Sequence, residues 1–270
     1  MRAVLAVALL SLKEGLRQRL LYGVLIFSLA IMTFAVLVSG MFMRDISKVI
    51  LDFCLSAISI GGLLIPFFLA IDLLSKDIER KTIVTILAQP VSRTYYILGK
   101  FIGIALLTAV TMLVLTCSAM VAVWGGKIIY GDIFFTNLSC SAIFISIGLG
   151  WLGILVLNAM VILWCCLTTS SFLATMLTVA TYFIGHSIDD IVRFIASDTP
   201  GVEISASIQK TVHIAQYLFP NLSVFDFKLL AAHGIIPPVN DILFCALYGG
   251  AYIGCALSLA TIVFHRRDLA

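Results

Sequence analysis

Charge is scarce in this chain. Only 11% of its 270 residues are Asp, Glu, Lys or Arg, where soluble domains carry about 25%. With a mean hydropathy of +1.14, that shortage excludes a water-soluble globular fold. Catalytic sets are missing too. The sequence contains no H-E-x-x-H, no carboxylate pair and no Ser/His/Asp set placed on facing helices. A membrane-embedded hydrolase is therefore disfavoured. No G-x-x-x-x-G-K-[ST] occurs either; "YYILGKF" and "VWGGKII" lack the spacing and hydroxyl of a phosphate cradle. Any ATP hydrolysis has to come from another polypeptide. The seven cysteines show no C-x-x-C spacing and fall inside apolar runs, as small buried hydrophobes do. The four histidines and the Met41-x-Met43 pair lack a ligand pattern, so no metal is expected. The alternating segments of a β-barrel are absent, as is any repeat of 20–50 residues.

What remains is a series of uncharged runs of about 20 residues, the length a helix needs to cross a bilayer. They predict an all-α integral membrane protein of one domain with six spans, near 21–43, 49–74, 101–124, 138–167, 172–188 and 242–264. Residues 133–188 carry no Asp, Glu, Lys or Arg, and 56 residues are too many for one crossing. The polar "TTSS" at 168–171 is the natural break. Six spans place both termini on one side, and the distribution of basic residues says which. With the termini inside, eleven of the seventeen Lys and Arg residues are cytoplasmic. This gives a multi-pass protein of the cell's inner (cytoplasmic) membrane. The N-terminus reads as an amphipathic interfacial helix over 1–20, with Leu5, Leu9, Leu12, Leu16 and Leu20 in one stripe, rather than as a signal peptide. The long outer segment 189–241 contains a second amphipathic helix stopped by Pro220, predicted to lie on the outer surface or to cap the bundle.

Between spans two and three lies a polar island, 75–100, containing "ERKTIVTILAQPVSRTYYILGK". Glu79 to Ala88 has helical periodicity, Pro90 stops that helix, and Ser92 can cap the next, which continues through Tyr95 and Lys100 into the third span. The pattern predicts a short elbow that either docks in a groove of another protein or sits on anionic lipid. Arg93 and Lys100 could simply snorkel to the headgroups. Asp72 and Asn158 are the polar residues deepest in apolar runs, candidates for a translocation path or for bonding between helices; Asp72 can pair with Lys76 one turn on. The glycines 148, 150 and 153 suggest close helix contact, plausibly between subunits.

Four stretches in order, "SLKEGLRQRLL" (11–21), the island (79–100), "YLFPNLSVFDF" (217–227) and "FHRRDLA" (264–270), resemble the permease subunits of ABC-2-type transporters. Within these, the chain looks like the branch associated with multi-copper enzyme maturation. The resemblance implies that the island is a coupling helix resting in a cleft of a cytosolic ATP-hydrolysing subunit. Glu79, Arg80, Thr82, Leu87, Pro90, Ser92, Arg93 and Lys100 would make that contact. Lys81 replaces the glycine usual before the threonine, so the local turn is expected to be more helical. ATP and Mg would belong to the partner, with no cofactor in this chain. A second permease copy, identical or related, would complete the usual twelve spans. Lipid is a further partner and nucleic acid is not. An exporter is the expected activity. The alternative is a non-transporting mechanotransmitter or scaffold driven by the same ATPase, acting on an outer or periplasmic accessory protein through 189–241.

Overall fold

Lipid offers no hydrogen-bond partner to a backbone N–H or C=O, and an α-helix pairs both within itself. The computed structural model describes residues 2–42, 46–71, 92–135, 139–168, 170–196 and 206–266. They form α1 (Arg2–Leu16), α2 (Arg19–Ser39), α3 (Ile46–Leu64), α4 (Arg93–Tyr130), α5 (Cys140–Leu167), α6 (Ser171–Ala196), α7 (Ala206–Leu218), α8 (Lys228–Ala232) and α9 (Val239–Arg266). A π-helical turn, Ile65–Ala70, extends α3. Six of these helices, α2 to α6 and α9, are long and apolar enough to cross a membrane. The protein is a multi-pass helical membrane protein. Both ends of the described chain meet at the same end of the bundle, the proximal end; the opposite end is distal.

Local sequence signals place several boundaries as expected. Ser92 caps α4, its Oγ accepting from the Tyr95 N–H at 3.3 Å. Thr168 and Ser170 lie outside helix, between α5 and α6. The third span is longer than its apolar run predicts, 38 residues instead of 101–124. At ~1.5 Å per residue it measures ~57 Å, well beyond a ~30 Å hydrocarbon core. Helix propensity and the Ser92 cap carry it past the apolar limits, and Gly131, at φ 92°, ends it. In α3 the α-pattern gives way at Pro66, which has no N–H to donate.

Helix α5 is apolar all round, and it occupies the centre; residues 153–163 are all buried. It packs along α9 and contacts α3, α4 and α6. Because lipid tails are as apolar as leucine, close fit and polar bonds hold these helices together. Two indoles supply such bonds: Trp151 Nε1 donates to Thr108 Oγ1 at 3.3 Å, and Trp164 Nε1 to Thr181 Oγ1 at 3.0 Å.

Helix α1 divides its labour between two faces. Leu5, Leu9 and Leu16 of the predicted stripe are exposed, as a lipid-facing stripe should be, while Val7, Ala8 and Ser11 are buried against α4. There Gly99 and Gly103 let the two backbones meet. A Cβ at Gly103 would lie 2.7 Å from the Ala8 carbonyl oxygen and from Ser11 Cβ. Gly103→Leu should therefore expel α1 from this groove and lower stability by about 1–3 kcal/mol. Unfolding in detergent, combined with limited proteolysis of residues 2–16, measures both effects; an unchanged α1 would refute the packing argument.

Candidate functional site

Two places gather polar side chains that a membrane interior ordinarily excludes. The first is the proximal junction of α4 and α9. Arg93 Nη1 donates to the carbonyls of Phe264 (2.9 Å) and His265 (3.1 Å), supplying partners to carbonyls that the end of α9 leaves open. Its guanidinium carbon lies 5.9 Å from the centroid of the Phe264 ring. That ring, 1% exposed, stacks on Tyr96 with centroids 6.0 Å apart. Lys100 Nζ stands 6.0 Å from the Tyr96 centroid. Thr94 Oγ1 and His265 Nε2 are 3.4 Å apart. A cation, two rings and a second cation thus run in one row across the interface.

Of the residues expected to form a coupling site, Ser92, Arg93 and Lys100 come together here. Asp72, Glu79, Arg80, Thr82, Leu87 and Pro90 lie outside the described residues. Snorkelling does not describe Lys100, whose side chain is only 2% exposed and turned into the bundle. Arg93 reaches sideways to the end of α9. Asn158, on α5, is 0% exposed, and neither atom of its amide has a hydrogen-bond partner among the described residues. Of the two roles expected for it, a translocation path or bonding between helices, the described residues show no interhelical bond.

The second place is distal, and the sequence reading missed it. After α7 the chain does not lie across the top of the bundle. Residues 219–227 dip between α5, α6 and α9 without α-helix, with a single 3₁₀ turn at Ser223–Phe225. Phe225 rests on Gly153, the fourteenth of the 28 residues of α5, and so midway along that helix. Gly153 therefore serves a contact within the chain, where close packing between subunits was the expectation. Pro220 and Leu222 sit against Gly185 of α6, where any side chain would collide with the Pro220 carbonyl.

Non-helical backbone at this depth must find its partners in the protein. The Leu222 N–H donates to the Gly185 carbonyl at 2.8 Å. The Asn221 N–H donates to the Tyr248 hydroxyl at 2.8 Å, and the Tyr252 hydroxyl donates to the Leu218 carbonyl at 3.0 Å. Asn221 Oδ1 closes the turn by accepting from the Ser223 N–H (3.1 Å) and Oγ (2.7 Å). The sequence carries a local signal in the Asn221-x-Ser223 pattern, which was not read; the two receiving glycines are some 35–70 residues away in sequence.

The inserted turn roofs a cleft of about 130 Å³ between α3, α5 and α6. Its floor is apolar, formed by Leu55, Ile58, Met112, Ile154 and Leu157. Its polar side holds Tyr182, His186, Asp226 and Lys228. Lys228 Nζ pairs with Asp226 Oδ2 at 3.1 Å, and the two side chains are about 30% exposed toward the space. Tyr182 stacks on His186 (5.6 Å between centroids) and meets Phe67 of the π-helical turn edge-on, also at 5.6 Å. Ionisable groups that face a cavity within a span region mark a pathway or a binding site.

Tyr248→Phe should leave the Asn221 N–H buried without its acceptor and cost about 1–3 kcal/mol. Tyr217→Phe, at a ring 75% exposed, should cost nothing measurable. Thermal unfolding of the two variants in one detergent checks the pair; equal midpoints would contradict the inserted turn.

No curated protein matches this chain. A family model does: the one described as ABC-2 family transporter protein matches residues 5–269, nearly the whole chain, across all six spans, both polar sites and the island between α3 and α4. That family is a membrane component of transporters which, in general, work with a separate ATP-binding subunit. The chain belongs to the ABC-2 transporter family, as a permease subunit.

Proposed function

We propose that this permease is the membrane half of an ATP-driven exporter in the inner membrane, with its termini and the 75–100 island in the cytoplasm. A separate cytosolic subunit binds ATP and Mg and hydrolyses the nucleotide. Glu79, Arg80, Thr82, Leu87 and Pro90 form the knob that meets it, and Ser92, Arg93 and Lys100 anchor that knob to the bundle. A second permease copy completes the transporter.

The observation that carries this reading is the attachment of Arg93. The residue that leaves the elbow is bonded to the last two described carbonyls but one of α9, and its neighbour Ser92 caps the 38-residue α4. A push delivered to the elbow is therefore applied to two spans together. Helix α4 passes it inward along the row Arg93, Phe264, Tyr96 and Lys100. The cargo site is the distal cleft. ATP binding closes the partner, and the partner's unequal affinity for the two packings of the bundle shifts their populations. Export is favoured because the polar groups of the cleft lie in the distal half, away from the termini.

Hydrogen bonds from a charged group are worth about 1.5–3 kcal/mol each when shielded from water; Arg93 is partly exposed, so the lower end applies. When the permease is co-expressed with its cognate ATPase, Glu79→Arg should abolish co-purification. Arg93→Ala should leave the complex intact but reduce permease-stimulated hydrolysis by about tenfold. Arg93→Lys, which keeps charge but not the two-carbonyl reach, should fall between. If complex formation and stimulated hydrolysis both survive Glu79→Arg and Arg93→Ala, the coupling assignment is wrong.

A further inference from the structure

The distal cleft combines features that together specify a ligand class. We propose that it binds a membrane lipid with a zwitterionic headgroup, the acyl chain lying on the apolar floor and the headgroup engaging Asp226 and Lys228. The cargo role of that lipid rests on the exporter reading; the binding itself does not.

Three observations carry the inference. The first is shape. Helix α6 approaches the second span through the π-helical turn, where Phe67 meets Tyr182, and is not among the helices packed along α3 itself. Distal to that turn, α3 and α6 are separated by the cleft, and the lining residues Ile60 and His186 are exposed. Among the described residues the space is therefore not closed between α3 and α6 at Ile60 and His186, an opening through which a lipid chain could enter. The second is surface chemistry. Leu55, Ile58, Ile154 and Leu157 offer water nothing to bond, and an empty or wet slot over them forfeits dispersion contacts that a hydrocarbon chain supplies. The third is charge. Asp226 and Lys228 are held 3.1 Å apart as a fixed pair, with Asp226 Oδ1 also accepting from the Lys228 N–H at 3.2 Å. A pair of opposite charges complements an ammonium and a phosphate side by side, whereas a singly anionic headgroup would meet the Asp226 carboxylate without compensation. Gly150 lines the same space and keeps it open: a Cβ there would meet nothing within 4 Å.

The test uses the full chain in vesicles containing a trace of phosphatidylethanolamine with a diazirine on its acyl chain. Parallel vesicles contain phosphatidylglycerol carrying the same chain. After irradiation, labelled peptides are mapped by mass spectrometry. Label should concentrate on 55–63 and 146–157, with the zwitterionic probe favoured by about tenfold. Gly150→Phe, which fills the cleft without a clash at Cβ, should remove that label and spare any label on the exposed residues Ile26 and Phe34 of α2. Combined Asp226→Asn and Lys228→Gln should retain cleft labelling but bring the two probes to about equal yield. Label spread evenly over exposed helix faces, or unaffected by Gly150→Phe, overturns the site. Equal labelling by the two probes in the unaltered chain overturns the headgroup assignment. Adding the cognate ATPase with ATP separates this proposal from the exporter reading. Cleft label that ATP does not displace counts against export and leaves the site standing; coupled hydrolysis without cleft label does the reverse.

Discussion

Everything distinctive about this bundle follows from one constraint: in a bilayer, an unpaired backbone group has no water to turn to. Helices meet that demand by themselves. The turn at 219–227 does not, and it reaches the middle of α5 only because Gly185, Tyr248, Asn221 and Tyr252 provide or complete its hydrogen bonds. Remove those partners and the segment would be driven to the membrane surface. The cleft would then lose its roof, together with Asp226 at the end of the turn and its partner Lys228 at the start of α8.

The two polar sites are mechanically connected through the long helices. At the proximal end Arg93 binds α4 to the end of α9; at the distal end the Tyr130 hydroxyl donates to the Val36 carbonyl at 2.8 Å and binds α4 to α2. Helix α4 is therefore fastened at both ends. Between those ends it takes α1 into the Gly99 and Gly103 groove, and it lends Met112 to the cleft floor. In the same way α9 carries Phe264 at one end and the tyrosines that hold the inserted turn midway. Under the proposed coupling, α4 and α9 are the two helices that would carry a displacement from the proximal end toward the cleft. Among the described residues the buried Asn158 amide has no hydrogen-bond partner, and a buried polar group in that state is costly.

Much of this was legible in the sequence, and the limits have physical causes. Span number, the break after α5 and the Ser92 cap are local properties, set by runs of apolar residues and by single hydrogen bonds to neighbouring N–H groups. The length of α4 was underestimated because helicity continues where hydropathy stops. The sequence left Lys100 between a coupling contact and the headgroups; its burial within the bundle comes from tertiary packing around α4, which no window of sequence displays. The inserted turn was hidden for a related reason. Pro220 correctly signals the end of α7, but whether the chain then lies flat or descends is decided by Gly153 and Gly185, whose missing side chains make room for it. Gly153, seen in sequence beside Gly148 and Gly150, suggested close helix contact, plausibly between subunits.

The claim that the turn at 219–227 is bonded inside the bundle is tested most directly by hydrogen exchange of the native protein in lipid. The account predicts that the amides of Asn221 and Leu222 exchange as slowly as those in the middle of α5, and that Tyr248→Phe selectively accelerates Asn221. Exchange at 221 and 222 as fast as at the exposed residues of α7 would contradict it.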